Sequence, residues 1–354
     1  ISTFVISQDA DTSGTICTID ESPFKAYMTY ENNVITIHAP QNTEIYLNSN
    51  SDCMFPSVIS LDLGIFNGSK LTSCQYMFGG NKMLTSVNFE HFYAPLLITT
   101  VAMFDNCTSL TTINVSGLNA PHITDMSSMF NSCTSLVRVV MNGMNTSNVT
   151  NMGYMFARCR ALTTVDLDEI DVSSLQNASY MFVDDYMLQN IDISKWNTKS
   201  LQNTYWMFYH ESNWWKASSP ELTHLTSIDL HNWDTSKLTN AEGMFGHCNG
   251  LISANLSGWN TDSLQNCSDM FYGCACLTDI NVKDWDTTNI DNMYEMFSYC
   301  LSLEKIDISN FNTRKAAANS KCNLFYSCEY LDTITLSNDC IDIGLPNHRE
   351  SYNL

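Results

Sequence analysis

The chain has 354 residues, 37 of them acidic and 16 basic, for a formal charge of -21. That balance excludes nucleic acid and anionic membranes as ordinary partners, because both recognise a basic surface. Charged residues make up only 15% of the chain, so its polar surface must be mostly Asn, Ser and Thr. No apolar run reaches the length of a bilayer span, so no transmembrane segment is expected. No signal peptide is visible, which reads as a processed or trimmed start.

Residues 1–58 carry no repeat. The runs Val34-Ile35-Thr36-Ile37 and Glu44-Ile45-Tyr46-Leu47 read as strands, and the segment is expected to be a β-rich cap. From 59 to 337 the chain repeats. Met-Phe pairs begin at Met77, Met103, Met129, Met155, Met181 and Met207, each 26 residues after the last. The pair returns with the same spacing at Met244, Met270 and Met296, and Leu324-Phe325 is a degenerate last copy. The gap between Met207 and Met244 is one period plus an 11-residue insertion, placed at 209–221. Residues 338–354 are expected to cap the far end. A fixed period of this size is the signature of a solenoid, in which a single coil cannot bury its own apolar face.

Within one coil, counted from its Met as zero, apolar residues fall at -3, 0, +1 and +4, as in Met126, Met129, Phe130 and Cys133. This spacing predicts a short helix, and Asp or Asn at -4 (Asp125, Asn151, Asn177) suits its N-cap. Apolar residues at +7, +10 and +12, as in Leu162, Val165 and Leu167, predict a short strand with one face inward. Eleven such strands are expected, near residues 61, 87, 113, 139, 165, 191, 228, 254, 280, 306 and 334. Stacked coils make these strands parallel. The fold class is therefore an α/β repeat solenoid, leucine-rich-repeat-like, with one parallel sheet, short helices opposite it, and a cap at each end. At +15 stand Trp196, Trp233, Trp259 and Trp285, read as a ladder closing the core edge, and the Asn or Asp and Thr after them as tight-turn residues. Cys107, Cys133, Cys159, Cys248, Cys274, Cys300 and Cys328 share position +4, which predicts a column of buried free thiols rather than a disulfide framework.

The segment Ile123-Thr124-Asp125-Met126-Ser127-Ser128-Met129-Phe130-Asn131-Ser132-Cys133-Thr134-Ser135-Leu136 resembles the BspA-type leucine-rich-repeat surface proteins, in their 26-residue Met-Phe-x-x-Cys-x-x-Leu variety. The resemblance implies a secreted or surface-anchored protein, adhesin-like in some members, and it brings no catalytic residues.

Candidate sites are surface features. Tyr154, Tyr180 and Trp206 occupy position -1 in successive coils, and Trp214 and Trp215 sit in the insertion. Together they form the expected ligand-binding patch. On the outward strand positions, Asp166, Asp192 and Asp229 follow one another with Asp168 beside them, an arrangement of oxygen donors suited to calcium. No other cofactor is expected. The eight histidines are scattered, no phosphate-cradling glycine loop is present, and no enzyme is expected. Asn-x-Ser/Thr matches such as Asn67, Asn106 and Asn266 carry little weight in so Asn-rich a chain. Two functions fit: an extracellular or cell-surface binding module for a host or neighbouring-cell protein or glycan, or a structural spacer of a surface layer, filament or virion fibre that self-associates through its ends.

Overall fold

The computed structural model describes the backbone of 3–7, 15–16, 27–31 and 34–38, and the chain over 45–55, 57–167, 169–189, 191–211, 223–319 and 322–344. Two compact units partition it, Ile1–Val149 with Arg158–Ile170, and Thr150–Ala157 with Asp171–Leu354.

The first unit opens with a four-stranded sheet of β1 (Thr3–Ser7), β2 (Thr15–Ile16), β3 (Tyr27–Glu31) and β4 (Val34–His38), in the order β1-β4-β3-β2. Next, β5 (Ile45–Tyr46) pairs in parallel with β7 (Phe66–Asn67), and β6 (Ser60–Asp62) with β8 (Ser86–Asn88). β9 (Thr112–Asn114), β10 (Arg138–Val140) and β11 (Thr164–Asp166) form a parallel sheet in which each residue faces its equivalent one repeat away. The middle residue of each strand is buried and its first is exposed, the alternation expected of a half-buried strand. In the second unit β12 (Ser227–Asp229), β13 (Ser253–Asn255) and β14 (Asp279–Ile280) continue the pattern, followed by β15 (Lys305–Ile308), α1 (Arg314–Asn319) and β16 (Thr333–Leu336). Both units are thus parallel-stranded solenoids. Ten of the eleven expected strands are present; around Ile191 the described residues form none.

The expected helices give way to turns. Among the described residues the only α-helix is α1, outside the Met-Phe segments. In those segments the residue at -1 lies in the left-handed region, as at Tyr76, Ser128, Tyr180 and Trp206, and the residue at +3 does the same at Asn106, Ser132 and Arg158. A left-handed residue ends a right-handed helix. The hydrogen bonds show what is gained instead. N–H groups at even positions stay within the coil, as Met77 to the Cys74 carbonyl and Gly79 to Tyr76. Those at odd positions reach the next coil, as Tyr76 to Val101, Phe78 to Met103 and Gly80 to Asp105. Each donor is therefore satisfied, which a buried backbone requires. The Asn or Asp at -4 still accepts the N–H two residues on, as Asn151 from Gly153 and Asn203 from Tyr205, so the capping chemistry survives without the helix. Spacing explains the preference: packed helices lie about 8–10 Å apart, whereas parallel strands lie about 4.8 Å apart. Turns can keep step with the strands on the other side of the coil.

The core is a set of columns with this short repeat. Phe78 stacks on Phe104 at 5.2 Å and Phe104 on Phe130 at 5.5 Å; in the second unit Phe156, Phe182, Phe208 and Phe245 stack at 5.3–5.6 Å. The column starts earlier than Met77. Phe55 stacks on Phe78 at 5.5 Å, and its N–H bonds to the Met77 carbonyl as other rungs do. That rung lies in the segment read from sequence as cap, hidden there by a 23-residue spacing between Met54 and Met77. Phe208 and Phe245 remain in contact although the insertion separates them in sequence, so the extra residues leave the phenylalanine column intact.

Trp196, Trp233, Trp259 and Trp285 are buried and stack at 5.7–6.3 Å, a core ladder rather than a sugar platform. Behind them Thr198, Thr235, Thr261 and Thr287 each donate a hydroxyl to a carbonyl of the next coil. The seven cysteines at +4 are buried and free, and each thiol donates to the carbonyl of the preceding coil's phenylalanine at 3.0–3.2 Å. Burial pushes the thiols of Cys107 and Cys328 up to about 12, so they stay protonated and keep that bond.

Two outcomes follow. Phe182→Ala, which removes a fully buried ring stacked on both sides, should cost about 3–5 kcal/mol in a urea titration. Iodoacetamide applied to the native protein should modify exposed Cys53 and leave Cys133, Cys274 and Cys300 unlabelled until denaturant is added, as read by mass spectrometry.

Candidate binding surface

Side chains at -1 and -2 leave the coil on the side of the turns, in columns set by the backbone bonds between coils. In the second unit Tyr180 bonds to the Tyr205 carbonyl, Trp206 to Glu242, Gly243 to Ser268, Asp269 to Tyr294 and Glu295 to Cys322. Tyr154 and Tyr180 stack face to face at 4.2 Å. Tyr180 then meets Tyr205 and Trp206 edge-on, at 5.0 and 5.6 Å, and Trp206 stacks on Tyr209 at 4.0 Å. The run continues through His247, Tyr272, Tyr299 and Tyr326, each ring 4.9–5.6 Å from the one before. All these residues belong to the second unit. Most are half-buried and Tyr326 is exposed, so the rings form one aromatic stripe with an accessible side.

Glycines make room for it. A Cβ on Gly243 would stand 2.6 Å from the Trp206 indole, one on Gly246 2.7 Å from the Tyr209 ring, and one on Gly273 2.6 Å from the His247 ring. Each ring therefore leans on the backbone of the following coil at a point where only glycine fits. Gly243 and Gly273 also take the left-handed conformation that their columns demand.

The candidate residues named from sequence divide three ways. Tyr154, Tyr180 and Trp206 are brought together, as expected, and form the first part of the stripe. Trp214 and Trp215 lie outside the described residues. The acidic set is described in part. Asp168 lies outside the described residues, and among those described no group of three His, Cys, Asp or Glu side chains is placed to hold a metal ion. Instead each carboxylate is engaged locally. Asp166 faces Arg138 at 3.3 Å; Asp192 accepts from the Ser194 N–H and hydroxyl; Asp229 accepts from the His231 ring at 2.7 Å and from Asn255. Hydrogen bonds from Ser194 and from His231 hold Asp192 and Asp229 below the usual carboxylate range. For Asp192 and Asp229 the donors come from the turn after the strand. In the second unit the strand face bears an open groove of about 740 Å³ lined by Ile191, Asp192, Ser227, Asp229 and Asn255, where the described residues around Ile191 form no strand.

Sequence reading missed the rest of the stripe, because Tyr205, Tyr209, His247, Tyr272 and Tyr299 fall in neighbouring columns rather than at -1. It also missed a second component. Burial raises the phenols of Tyr180, Tyr205 and Tyr272, and nearby carboxylates add to it: Glu242 at Tyr180 and Tyr205, Glu295 and Asp269 at Tyr272. Burial, then the neighbouring Glu295 and Glu242, pushes Asp269 up to about 6. His247, next in the ring run, is pushed down to about 4 by burial and stays neutral near pH 7. The native state thus binds the Asp269 proton more tightly than the unfolded chain, and its ionisation removes stability as pH rises through about 6. Asp269→Asn should raise the melting temperature at about pH 7.5 and change it little at about pH 3, below the carboxyl's unfolded value, as followed by circular dichroism.

Comparison with known proteins agrees with the repeat. The family described as "Mycoplasma protein of unknown function, DUF285" matches residues 48–134, 98–220 and 216–335, and the chain belongs to that family. No curated protein sequence matches. Among solved structures the chain is similar to a chain of the Drosophila Toll–Spatzle complex, at 16% identity and a TM-score of 0.31, over 76% of this chain and 39% of that one. It is also similar to a leucine-rich repeat protein from Bacteroides ovatus, at 17% identity and a TM-score of 0.26, over 92% and 93% of the two chains. The chain thus spans well under half of the matched chain of that complex.

Proposed function

We propose that this chain is a non-catalytic binding module of a cell surface, adhesin-like, and that it takes a protein or glycan on the aromatic stripe of its second unit. The observation that carries the reading is the unbroken contact of rings from Tyr154 to Tyr326, kept half open to solvent by glycines beneath them. A stripe made only to fill space would be covered, as the tryptophan ladder is. Rigid aromatic side chains give large contact area for little lost entropy, and they recur as anchors at interfaces. The extracellular placement belongs to the same reading. It rests on the polar, weakly charged surface and on the resemblance to surface repeat proteins.

The test is a panel of immobilised host-surface proteins and glycans probed with the whole chain and with Trp206→Ala combined with Tyr209→Ala. The pair should lower affinity for the captured ligand by about 30-fold or more, with a melt close to that of the parent. Unchanged binding by the folded double variant would refute the stripe as the site. Absence of any ligand together with concentration-dependent end-to-end assembly in light scattering would favour the spacer reading.

A further inference from the structure

The stripe carries a charge pattern as well as rings. Glu242, Asp269 and Glu295 stand at -2 or -1 in three successive coils, held in register by the same bonds that align the aromatics. Asn266 donates to Glu242 at 2.6 Å. Among the described residues no Lys or Arg forms an ion pair with any of the three, whereas elsewhere Arg138, Arg314 and Lys315 each pair with a carboxylate. These three half-buried carboxylates, flanked by tyrosine rings and near enough that Glu295 and Glu242 both act on Asp269, thus stand together without a Lys or Arg among the described residues. On the strand face, by contrast, Asp166 has Arg138 beside it and Asp229 has His231.

We infer that the stripe receives a basic polypeptide segment, whose Arg or Lys side chains lie against the tyrosine faces and pair with Glu242, Asp269 and Glu295. A guanidinium suits both surfaces at once, because it stacks on an aromatic ring and forks to a carboxylate. Consecutive carboxylates come one per coil. Coils lie near 5.3 Å apart at the Phe245–Phe271 rung, so an extended segment running across the coils can meet them in succession. The inference rests on the stripe being a binding surface and assigns its ligand a charge.

Calorimetry on the whole chain tests it with acetylated tetra-arginine amide as probe, and with the tetra-citrulline analogue, which keeps the planar group and loses the charge. Tetra-arginine should bind at least about tenfold more tightly than tetra-citrulline. Glu242→Gln with Asp269→Asn and Glu295→Gln should weaken it by about tenfold or more, while Asp262→Asn with Asp284→Asn and Glu304→Gln, an equal change in net charge at exposed positions, should change it less than about threefold. Glu295→Lys alone, which places a cation in the site, should abolish binding and serves if the triple variant melts early. Equal weakening by the two triple variants would overturn the inference, because the net charge of -21 would then be the whole attraction. Equal binding of the citrulline peptide would overturn it too. So would a captured glycan or neutral protein whose binding is lost with Trp206→Ala and Tyr209→Ala but kept in the carboxylate variant; that result would preserve the stripe as a site. Loss of neither would end both readings.

Discussion

The structure depends on the backbone hydrogen bonds that pass between coils from the Met-Phe turn. Donors alternate: one closes the turn, the next reaches the neighbouring coil, as Ala102 to Ser127 and Phe104 to Met129 in the first unit. The alternation requires a left-handed residue at -1, which costs roughly 1 kcal/mol or more when it is not glycine. That strain is offset by satisfying a buried donor in each turn and by bringing side chains within stacking distance. Once adjacent coils approach this closely on the turn side as well as at the sheet, the residue types follow. Planar rings stack, and thiols and threonine hydroxyls are small enough to bond straight to a neighbouring coil.

These constraints explain which parts of the fold were legible. The Met-Phe period and the strand alternation are direct consequences of stacking, so the sequence displays them openly. The turns were not legible, because apolar residues at -3, 0, +1 and +4 mark one face of a helix and also the inner corner of this turn. Tyr154, Tyr180, Trp206 and Glu295 disguise the left-handed position, since L-residues rarely adopt it. A signal was nevertheless present: glycine appears at -1 in Gly243 and at +3 in Gly80 and Gly273, the two columns where the backbone is left-handed. Met54-Phe55 went unread for a simpler reason, its short spacing to the next pair.

The candidate surface was half legible. Reading one column at a time finds Tyr154, Tyr180 and Trp206 and stops at Gly243, where the column appears to lose its aromatic. The structure shows that Gly243 carries the stripe onward, because the Trp206 indole fills the space that a side chain there would take. Continuity then passes to Tyr209, His247 and Tyr272, from other columns, and no single-column pattern records it. The acidic stripe on the strands is the opposite case. Its one-column regularity was real, yet the regularity serves turn closure, with Asp192, Asp229 and Asp307 each accepting the N–H two residues on.

Both acidic columns are repeated and both face outward, so repetition and exposure cannot tell a structural carboxylate from a recognising one. The distinction lies in where the proton affinity goes. Donors from the following turn stabilise the charged form and lower Asp192, Asp229 and Asp307. Burial among rings and neighbouring carboxylates raises Asp269. The first arrangement lends its stability to the fold. The second withdraws stability from the folded chain as the carboxylate ionises, and protonation, a neutral side chain at 269 or a cation placed beside it would each return that stability.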